Sequence, residues 1–202
     1  MFQSFAIVPA AGRSTRMGRP KLLLPWRDGT VVEQVLSAWH ASGVQHVLVI
    51  VHPEDELLAD TCRAAGALLI VAEQPPPDMK ASVVLGLQAI RVRFNPADRD
   101  AWLLAPADMP DLSPAVIDRL LAAHVPEDPR ILVPVHAGRR GHPALFSWTL
   151  AARVESLASS DGVNRLFDDH AVQEIFCPAA ALAPDVDTPD DYRRLHGRDC
   201  SE

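Results

Sequence analysis

Short apolar runs alternate with segments of helical periodicity along most of this chain, and that order restricts its fold more than any other feature. We expect strands at residues 5–8, 47–51, 68–71, 101–105, 131–135, 144–146 and 172–176. We expect helices at residues 31–42, 54–65, 82–93, 114–124, 149–157, 163–169 and 189–195. Repeated strand–helix alternation is typical of a parallel sheet with helices on both faces. Ligands of such sheets bind beyond the carboxyl ends of the strands.

Nothing in the composition divides the chain. With 48% hydrophobic and 22% charged residues, its 202 residues are ordinary for a globular protein. We therefore expect one domain over residues 1–196 and a disordered tail at 197–202. Cys62, Cys177 and Cys200 form no CxxC pair, which argues against a zinc ribbon or a disulfide framework. The first apolar run is too short for a signal peptide or a membrane span, so a cytoplasmic location is expected.

The loop after the first strand is basic although the chain is acidic. Lys and Arg number 19 and Asp and Glu 26, a net charge of −7, yet no acidic residue precedes Asp28. This balance argues against general binding to nucleic acid or to a membrane surface, which needs a broad basic face. It leaves room for a local anion site formed by Arg13, Arg16, Arg19 and Lys21. The alternative is a solvated basic turn on the surface.

Two glycines in the same loop favour the anion site. Gly12 is followed by five residues, Gly18, two more residues and Lys21. This spacing differs from the Walker motif, in which Lys directly follows the second glycine, and from the dinucleotide motif GxGxxG. The longer loop would let Arg16 and Lys21 reach different phosphates of one nucleotide, the first as a bidentate fork and the second as a point charge.

Carboxylates follow the fourth strand and precede the last helix. Asp108 lies between two prolines directly after the strand at 101–105. A carboxylate at that edge of the sheet, beside a phosphate loop, suits Mg²⁺. The alternative is that Asp108 caps the next helix, but Ser113 already occupies the cap position. Asp185 and Asp187 alternate in an extended segment and so share one side, where either is placed to complete a magnesium site with Asp108.

The histidines carry a weaker signal. His142, in the Gly141-His142-Pro143 turn, is a candidate contact for an acceptor substrate, and a surface histidine in a hairpin is an equal alternative. The histidines without ligand spacing are expected at the surface or at helix ends; these are His40, His46, His52 and His124. The tryptophans are expected in or near the core; these are Trp26, Trp39, Trp102 and Trp148.

Five segments, in this order, resemble a known family. They are the loop Ala10-Ala-Gly-Arg-Ser-Thr-Arg-Met-Gly-Arg-Pro-Lys21, then Met79-Lys-Ala-Ser82, Pro106-Ala-Asp-Met-Pro110, Arg140-Gly-His-Pro143 and Asp185-Val-Asp-Thr-Pro-Asp-Asp-Tyr192. Together they resemble the MobA-like nucleotidyltransferase family. Within it the chain is most similar to molybdenum cofactor cytidylyltransferases, which convert molybdopterin to its cytosine dinucleotide. The resemblance covers nearly the whole chain as far as Tyr192.

The resemblance implies a Rossmann-like three-layer α/β/α fold, its sheet mostly parallel with one antiparallel strand. It implies catalytic roles for Arg16, Lys21 and Asp108, with Mg²⁺ as the cofactor on Asp108 and Asp187. The residues it assigns to the nucleotide are Ala10, Ala11, Gly12, Arg13, Ser14, Gly18, Lys21 and Ser82. The Ala-Ala-Gly order around Ala11 favours CTP. The chain departs from the family pattern at two positions, with Pro9 in place of Leu and Asp78 in place of Gly.

The expected reaction transfers CMP from CTP to the terminal phosphate of molybdopterin and releases pyrophosphate. A molybdenum hydroxylase is the expected recipient of the product, and neither nucleic acid nor a membrane is an expected partner. One alternative is another small phosphate acceptor, such as a sugar phosphate. A second is an NAD(P)H-dependent reductase of the same branch, against which Lys21 and the paired aspartates count. A third is a non-catalytic factor that carries the cofactor to a hydroxylase.

Overall fold

The computed structural model of the chain describes residues 2–14, 16–178 and 184–196. Its strands are β1 (Ser4–Ala10), β2 (Pro25–Trp26), β3 (Gly29–Thr30), β4 (His46–Val51), β5 (Leu68–Val71), β6 (Ala101–Leu104), β7 (Ile131–His136), β8 (Arg139–Arg140), β9 (Ala144–Ser147) and β10 (Val172–Phe176). Its α-helices are α1 (Val31–His40), α2 (Glu56–Ala64), α3 (Met79–Phe94), α4 (Pro114–Ala123), α5 (Ala151–Ser156), α6 (Leu166–Asp169) and α7 (Pro189–His196). No helix in these ranges is long and apolar enough to cross a membrane.

Eight strands form one sheet in the order β10-β7-β9-β6-β1-β4-β5, with β8 paired to β7. The pairs of β1 with β4 and β6, of β4 with β5 and of β7 with β10 are parallel. Strand β9 is antiparallel to both β6 and β7. The mostly parallel sheet with an antiparallel strand inside it is confirmed, and the two-residue β8 adds a second antiparallel pair.

The alternation of side chains along β1 divides the core into two layers. Phe5 and Ile7 belong to a buried cluster with α3 and α5, whereas Ala6 and Val8 belong to another with α1, α2 and α4. Successive residues of a strand point to opposite faces, so the two clusters lie on opposite sides of the sheet. The three-layer α/β/α fold is therefore confirmed. All four tryptophans are buried, as predicted; these are Trp26, Trp39, Trp102 and Trp148.

Each predicted strand lies within two residues of its expected bounds, but helix α3 begins three residues before the expected Ser82. The reason is Asp78, whose side chain accepts a hydrogen bond from the Ala81 backbone N–H at 2.7 Å and so caps the helix one turn earlier. Ser113 stands at the cap of α4, yet its side chain makes no capping hydrogen bond. The tail predicted to be disordered, 197–202, lies outside the described residues.

The topology brings the candidate residues to one edge of the sheet. The parallel strands β1 and β6 end at Ala10 and Leu104, so the glycine loop and the Asp108 loop leave the sheet at the same edge. Strand β9 runs the other way and pairs Ala144 with Leu104, which brings its entry at His142 to that edge as well. An antiparallel strand thus adds the Gly-His-Pro turn to a site otherwise formed where parallel strands end.

Candidate active site

A cavity of about 530 Å³ opens at the carboxyl edge of the sheet. Its lining contains most of the residues that the sequence predicts for the site, namely Ala10, Ala11, Gly12, Arg13, Arg16, Lys21, Ser82, Asp108 and Asp187. It also contains Asp185 and the proline run Pro75-Pro76-Pro77. Ser14, Gly18 and His142 are predicted site residues that do not line it. The cavity volume is within the usual range of small-molecule sites.

The glycine loop folds back on itself through Ser14. Its carbonyl accepts hydrogen bonds from the N–H groups of Met17 and Gly18 at 3.0 and 3.1 Å, and its Oγ accepts one from the Lys21 N–H at 3.3 Å. Gly18 has a φ of +70°, a conformation that favours glycine. Ser14 and Gly18 therefore shape the loop and position Lys21, whereas Gly12 borders the cavity itself.

The Lys21 ammonium group lies between two carboxylates from distant parts of the chain. Its Nζ is 2.5 Å from Asp108 Oδ2 and 2.7 Å from Asp187 Oδ1. Arg16 Nη1 lies 2.9 Å from the other oxygen of Asp187. The lysine and Asp108 side chains are each only 15% exposed, so solvent screens this pair weakly. The structure thus brings together the four side chains expected to handle the triphosphate and the metal.

These ion pairs shift the protonation equilibria of the cluster. Burial lowers the pKa of Lys21, but the hydrogen bonds and charges of Asp108 and Asp187 outweigh it, and the pKa is raised overall. The hydrogen bond from Lys21 lowers the pKa of Asp187, and Arg16 adds to that effect. Lys21 is therefore a cation and Asp187 an anion at neutral pH, the charge states that phosphate and metal binding require.

The other arginines of the glycine loop also have partners. Arg13 Nη2 donates to Glu54 Oε2 at 2.8 Å and lies 3.2 Å from His52 Nε2. Arg19 lies over the ring of Tyr192, 5.7 Å from its centroid. These arginines are exposed, and carboxylates and an aromatic ring from other segments contact their side chains.

The residues present fit a divalent ion bound together with phosphates. Asp108 Oδ1 is buried and has no hydrogen-bond partner among the described residues, so a carboxylate oxygen stays unsatisfied where a cation would bind. No group of three or more His, Cys, Asp or Glu side chains suited to a metal occurs in the described part of the chain. Mg²⁺ commonly takes only one or two protein carboxylates and completes its shell with water and substrate phosphates.

The segment that carries Asp187 is fixed at both ends. The Val186 N–H donates to the Asp108 carbonyl at 2.9 Å, which ties the two acidic segments together. After Asp187, Thr188 and Asp191 exchange hydrogen bonds, from the Asp191 N–H to Thr188 Oγ1 and from the Thr188 N–H to Asp191 Oδ2, both 3.1 Å. This capping box begins α7, as the sequence predicts for Thr188. The Asp191 side chain therefore caps α7.

Helix α3 points its N-terminus at the cavity. Asp78 caps it, and Ser82, 3% exposed, lies in its first turns with its side chain on the cavity wall. Free N–H groups and the helix dipole favour negative charge at such an end. His52, expected at the surface, is in fact 7% exposed and borders the same cavity, as does the proline run. In the sequence, the only signal that His52 borders the cavity is its position directly after a buried strand.

His142 lines a neighbouring cavity instead of the first one. Burial lowers the pKa of its imidazole, against the opposing effects of the Leu104 carbonyl and of the carboxylates Asp108 and Asp185. It is therefore neutral at pH 7 and close enough to the acidic cluster to sense its charge. The surface alternative for His142 is wrong; a role at the acceptor remains a prediction.

The sequence of the chain places it in a family. Residues 6–175 match the model of the MobA-like NTP transferase domain. The chain belongs to this family. Among solved structures, Rv0371c of Mycobacterium tuberculosis H37Rv is 31% identical, with a TM-score of 0.80 over 97% of this chain and 98% of that one. A complex of the same protein with manganese is 30% identical, with a TM-score of 0.76 over 96% and 98%.

The relatives of this MobA-like nucleotidyltransferase carry different names. The molybdenum cofactor cytidylyltransferase of Escherichia coli K12 is 27% identical over 188 residues, 92% of each chain. The nicotine blue oxidoreductase of Paenarthrobacter nicotinovorans is 28% identical over 204 residues, 94% of each chain. A molybdenum cofactor guanylyltransferase of Xanthomonas euvesicatoria is 36% identical over 117 residues, 57% of this chain and 52% of that protein. The expected family is confirmed.

Proposed function

We propose that this protein transfers CMP from CTP to the terminal phosphate of molybdopterin, with release of pyrophosphate, and that a molybdenum hydroxylase receives the product. The observation that carries the proposal is the cluster of Arg16, Lys21, Asp108 and Asp187 beside the glycine loop. Two cations would bind phosphate oxygens, and two carboxylates would bind a divalent ion. A non-catalytic carrier would not need this arrangement of cations and carboxylates.

The side chains have separate tasks in this reaction. The attacking phosphate is already anionic, so neither a general base nor a covalent enzyme intermediate is needed. Lys21 and Arg16 would stabilise charge on the transferring phosphoryl group and on the leaving pyrophosphate. Mg²⁺ bound to Asp108 and Asp187 would supply further neutralisation of the phosphate oxygens. The loop N–H groups around Gly12 and the N-terminus of α3 would stabilise the remaining negative charge of the phosphate groups.

The choice of CTP has one support. Ala11 is small and 8% exposed, and its Ala-Ala-Gly loop is the form that the family resemblance links to CTP. Asp78 at the same cavity caps α3, where its carboxylate accepts a hydrogen bond from the Ala81 N–H.

A nucleotide panel tests this choice. We expect CTP with Mg²⁺ to raise the melting temperature more than GTP, ATP or UTP do, since a ligand of the folded state stabilises it by mass action. A shift with GTP alone would rule out the cytidylyl assignment and leave the nucleotidyltransferase intact. Mn²⁺ should replace Mg²⁺ in the same assay, because both ions prefer oxygen ligands.

Pyrophosphate release tests the metal assignment. Asp108→Asn should lower the rate of pyrophosphate release from CTP and molybdopterin by about 100-fold or more, since it removes charge from the electrostatic clamp. Asp60→Asn is the matched control, because Asp60 is exposed on α2 and outside the cavity. Near-normal, Mg²⁺-dependent release by Asp108→Asn would refute the role of that carboxylate.

Similarity to nicotine blue oxidoreductase over 94% of the chain supports a second candidate, an NAD(P)H-dependent reductase. Hydride transfer has no use for the Lys21–Asp108–Asp187 cluster, which counts against it. Oxidation of NAD(P)H by the protein with a quinonoid substrate, without any requirement for a divalent ion, would favour the reductase. A sugar phosphate in place of molybdopterin in the pyrophosphate assay tests the remaining acceptor class.

A further inference from the structure

Asp78 lies at the wall of the 530 Å³ cavity, which the proposed function assigns to the nucleotide. It stands between the proline run at 75–77 and Met79, the first residue of α3. Together with Met79 it also borders the neighbouring cavity that His142 lines. The family pattern has glycine at this position, so a contact made by the Asp78 side chain would be particular to this chain.

One oxygen of the Asp78 carboxylate is used and the other is open. Oδ1 accepts the hydrogen bond from the Ala81 N–H that caps α3. In the part of the chain that the structure describes, no donor bonds to Oδ2, and the adjacent Lys80 directs its Nζ to the Ala158 carbonyl instead. Asp78 is exposed, so this second oxygen is open to a ligand. A carboxylate oxygen only accepts hydrogen bonds, so it selects a ligand group that donates.

The start of α3 meets the cavity from the other side of the sheet than the cation cluster does. Val83 of α3 is buried in one core layer. Leu22 and Val186, the sequence neighbours of Lys21 and Asp187, are buried in the other layer. A nucleotide whose phosphates bond to Lys21 would therefore extend its base across the edge of the sheet toward α3.

The donor that distinguishes two pyrimidine nucleotides is the amino group of the base. Phosphate oxygens accept hydrogen bonds, and the ribose hydroxyls are common to CTP and UTP. Cytosine carries an amino group at the position where uracil carries a carbonyl oxygen. Ser82, which also lines the cavity, does not separate the two bases, because a hydroxyl both donates and accepts.

We propose that Asp78 determines the choice between cytosine and uracil, with its Oδ2 accepting a hydrogen bond from the 4-amino group of CTP. The inference rests on the proposed function, which supplies CTP as the nucleotide. A hydrogen bond to an ionised acceptor is stronger than one between neutral groups. The uracil carbonyl would face the same oxygen without a proton between them, so UTP loses this bond and is repelled.

Titration calorimetry with CTP and with UTP, each with Mg²⁺ and without any acceptor, tests the proposal. Omitting the acceptor keeps ligands of the neighbouring cavity out of the comparison. We expect the wild-type protein to bind CTP about tenfold more tightly than UTP, the effect of one hydrogen bond to a charged group. Asp78→Asn keeps a good N-cap, but its amide both donates and accepts, so the two affinities should become nearly equal.

Asp55→Asn is the matched control. Asp55 caps α2 in the same way, by accepting a hydrogen bond from the Leu58 N–H at 3.3 Å, and it does not line the nucleotide cavity. Its ratio of CTP to UTP affinity should equal that of the wild type. Asp78→Ser is the second variant, in case Asp78→Asn does not fold. Its hydroxyl can still cap α3 but carries no charge, so the preference for CTP should fall here too.

The ratio of the two affinities separates base recognition from other roles of Asp78. Equal weakening of CTP and UTP in both Asp78 variants would mean that the carboxylate contacts the ribose or acts only through the cap. Equal tightening would mean that it repels the phosphates. Either result would overturn the proposal, as would an unchanged ratio or equal affinity of the wild type for the two nucleotides.

Failure of the proposed function gives a different result. If the preference for CTP depends on Asp78 but CTP and molybdopterin release no pyrophosphate, the transferase assignment fails and the base contact stands. If pyrophosphate is released and the preference for CTP does not depend on Asp78, the base contact fails and the transferase assignment stands.

Discussion

At the scale of single residues, Lys21 has two partners that no local pattern reveals. Its ammonium group bonds to Asp108 and Asp187, which lie 87 and 166 positions away in sequence. In the nucleotide-free chain the lysine therefore supplies the positive charge that the two carboxylates need. We expect that a divalent cation bound together with a nucleotide would take over that role and free the lysine for the phosphates.

Replacing Lys21 by Met tests this exchange. In the absence of nucleotide, Lys21→Met leaves Asp108 and Asp187 without their shared cation, so bare Mn²⁺ should bind more tightly, on the order of tenfold. Binding of CTP with Mg²⁺ should weaken, because a phosphate ligand is lost. Titration calorimetry or the electron paramagnetic resonance signal of free Mn²⁺ measures the first effect.

Lys80→Met is the control for this substitution. Lys80 bonds to the Ala158 carbonyl and has no carboxylate partner in the site, so its removal should change neither affinity. Bare Mn²⁺ binding that is unchanged or weaker in Lys21→Met would contradict the exchange.

The structure places most of the predicted site residues at one cavity, and the sequence does not show how these residues are paired. The glycine spacing and the prolines around Asp108 predict an anion loop and a carboxylate at one edge of the sheet, and both are found there. The sequence does not predict that Arg13 pairs with Glu54 or Arg16 with Asp187, because these contacts depend on tertiary proximity. A local excess of positive charge in a sequence therefore indicates where an anion site lies, but it does not indicate which residues pair with the cations.

At the scale of secondary-structure elements, the N-terminus of α7 positions Asp187, the proposed metal ligand. Asp187 directly precedes the capping box of Thr188 and Asp191, and Tyr192 Oη donates to the Pro25 carbonyl at 2.7 Å. The helix is thus fixed against the segment that follows the glycine loop. Since the cap sets the backbone at Thr188, it also sets the direction in which the preceding carboxylate points.

Two matched cap deletions separate positioning from stability. Thr188→Ala and Thr30→Ala each remove the hydroxyl of a capping box, at α7 and at α1, and each should lower the free energy of unfolding by about 1 kcal/mol. Only Thr188→Ala should also weaken binding of CTP with Mg²⁺, because Thr188 directly follows Asp187, which lines the cavity, whereas neither neighbour of Thr30 lines it. Urea unfolding and nucleotide titration measure the two effects. Equal loss of nucleotide affinity in both variants would mean that the cap acts through general stability.

The start of α3 shows why helix boundaries are hard to predict. The apolar periodicity at Val83, Leu87 and Ile90 is visible in the sequence and lies on the buried face of the helix. The first turn carries Met79 and Lys80, which have no such periodicity, and only the Asp78 cap shows that it is helical. This extra turn matters, because it forms the partition between the two cavities.

At the scale of the whole molecule, the order of strands and helices can be predicted from the sequence, but the direction of one strand cannot. The alternation of apolar runs and helices predicts the parallel strands and the helices beside them. The reversed direction of β9 is not visible in periodicity, because a four-residue apolar strand has the same pattern in either orientation. The family resemblance alone predicts it.

The core layer that contains α1, α2 and α4 includes Cys62, which is fully buried.

Burial of Cys62 makes the free energy of unfolding depend on pH in the alkaline range. Burial, with smaller effects from Asp55 and Glu33, raises the pKa of its thiol from 9.0 to about 12. In the unfolded chain the thiol ionises above its ordinary pKa, whereas in the folded chain it stays protonated. The contribution of this residue to stability is therefore complete below pH 9 and is lost as the pH rises toward 12, by about 1.4 kcal/mol for each pH unit.

Urea unfolding of wild type and Cys62→Ala at pH 8, 9, 10 and 11 tests this dependence. The alanine removes the thiol and leaves a small cavity, so the variant should be less stable at pH 8 by an amount that reflects packing alone. Since the variant has no thiol to ionise, its stability should fall less steeply above pH 9, and the gap between the two proteins should narrow by about 1–2 kcal/mol between pH 9 and pH 10.5. Val35→Ala serves as the control, because Val35 is fully buried in the same core layer and does not titrate, so its stability gap to wild type should stay constant with pH. A constant gap between wild type and Cys62→Ala from pH 8 to 11 would show that the thiol ionises equally in the folded and unfolded states.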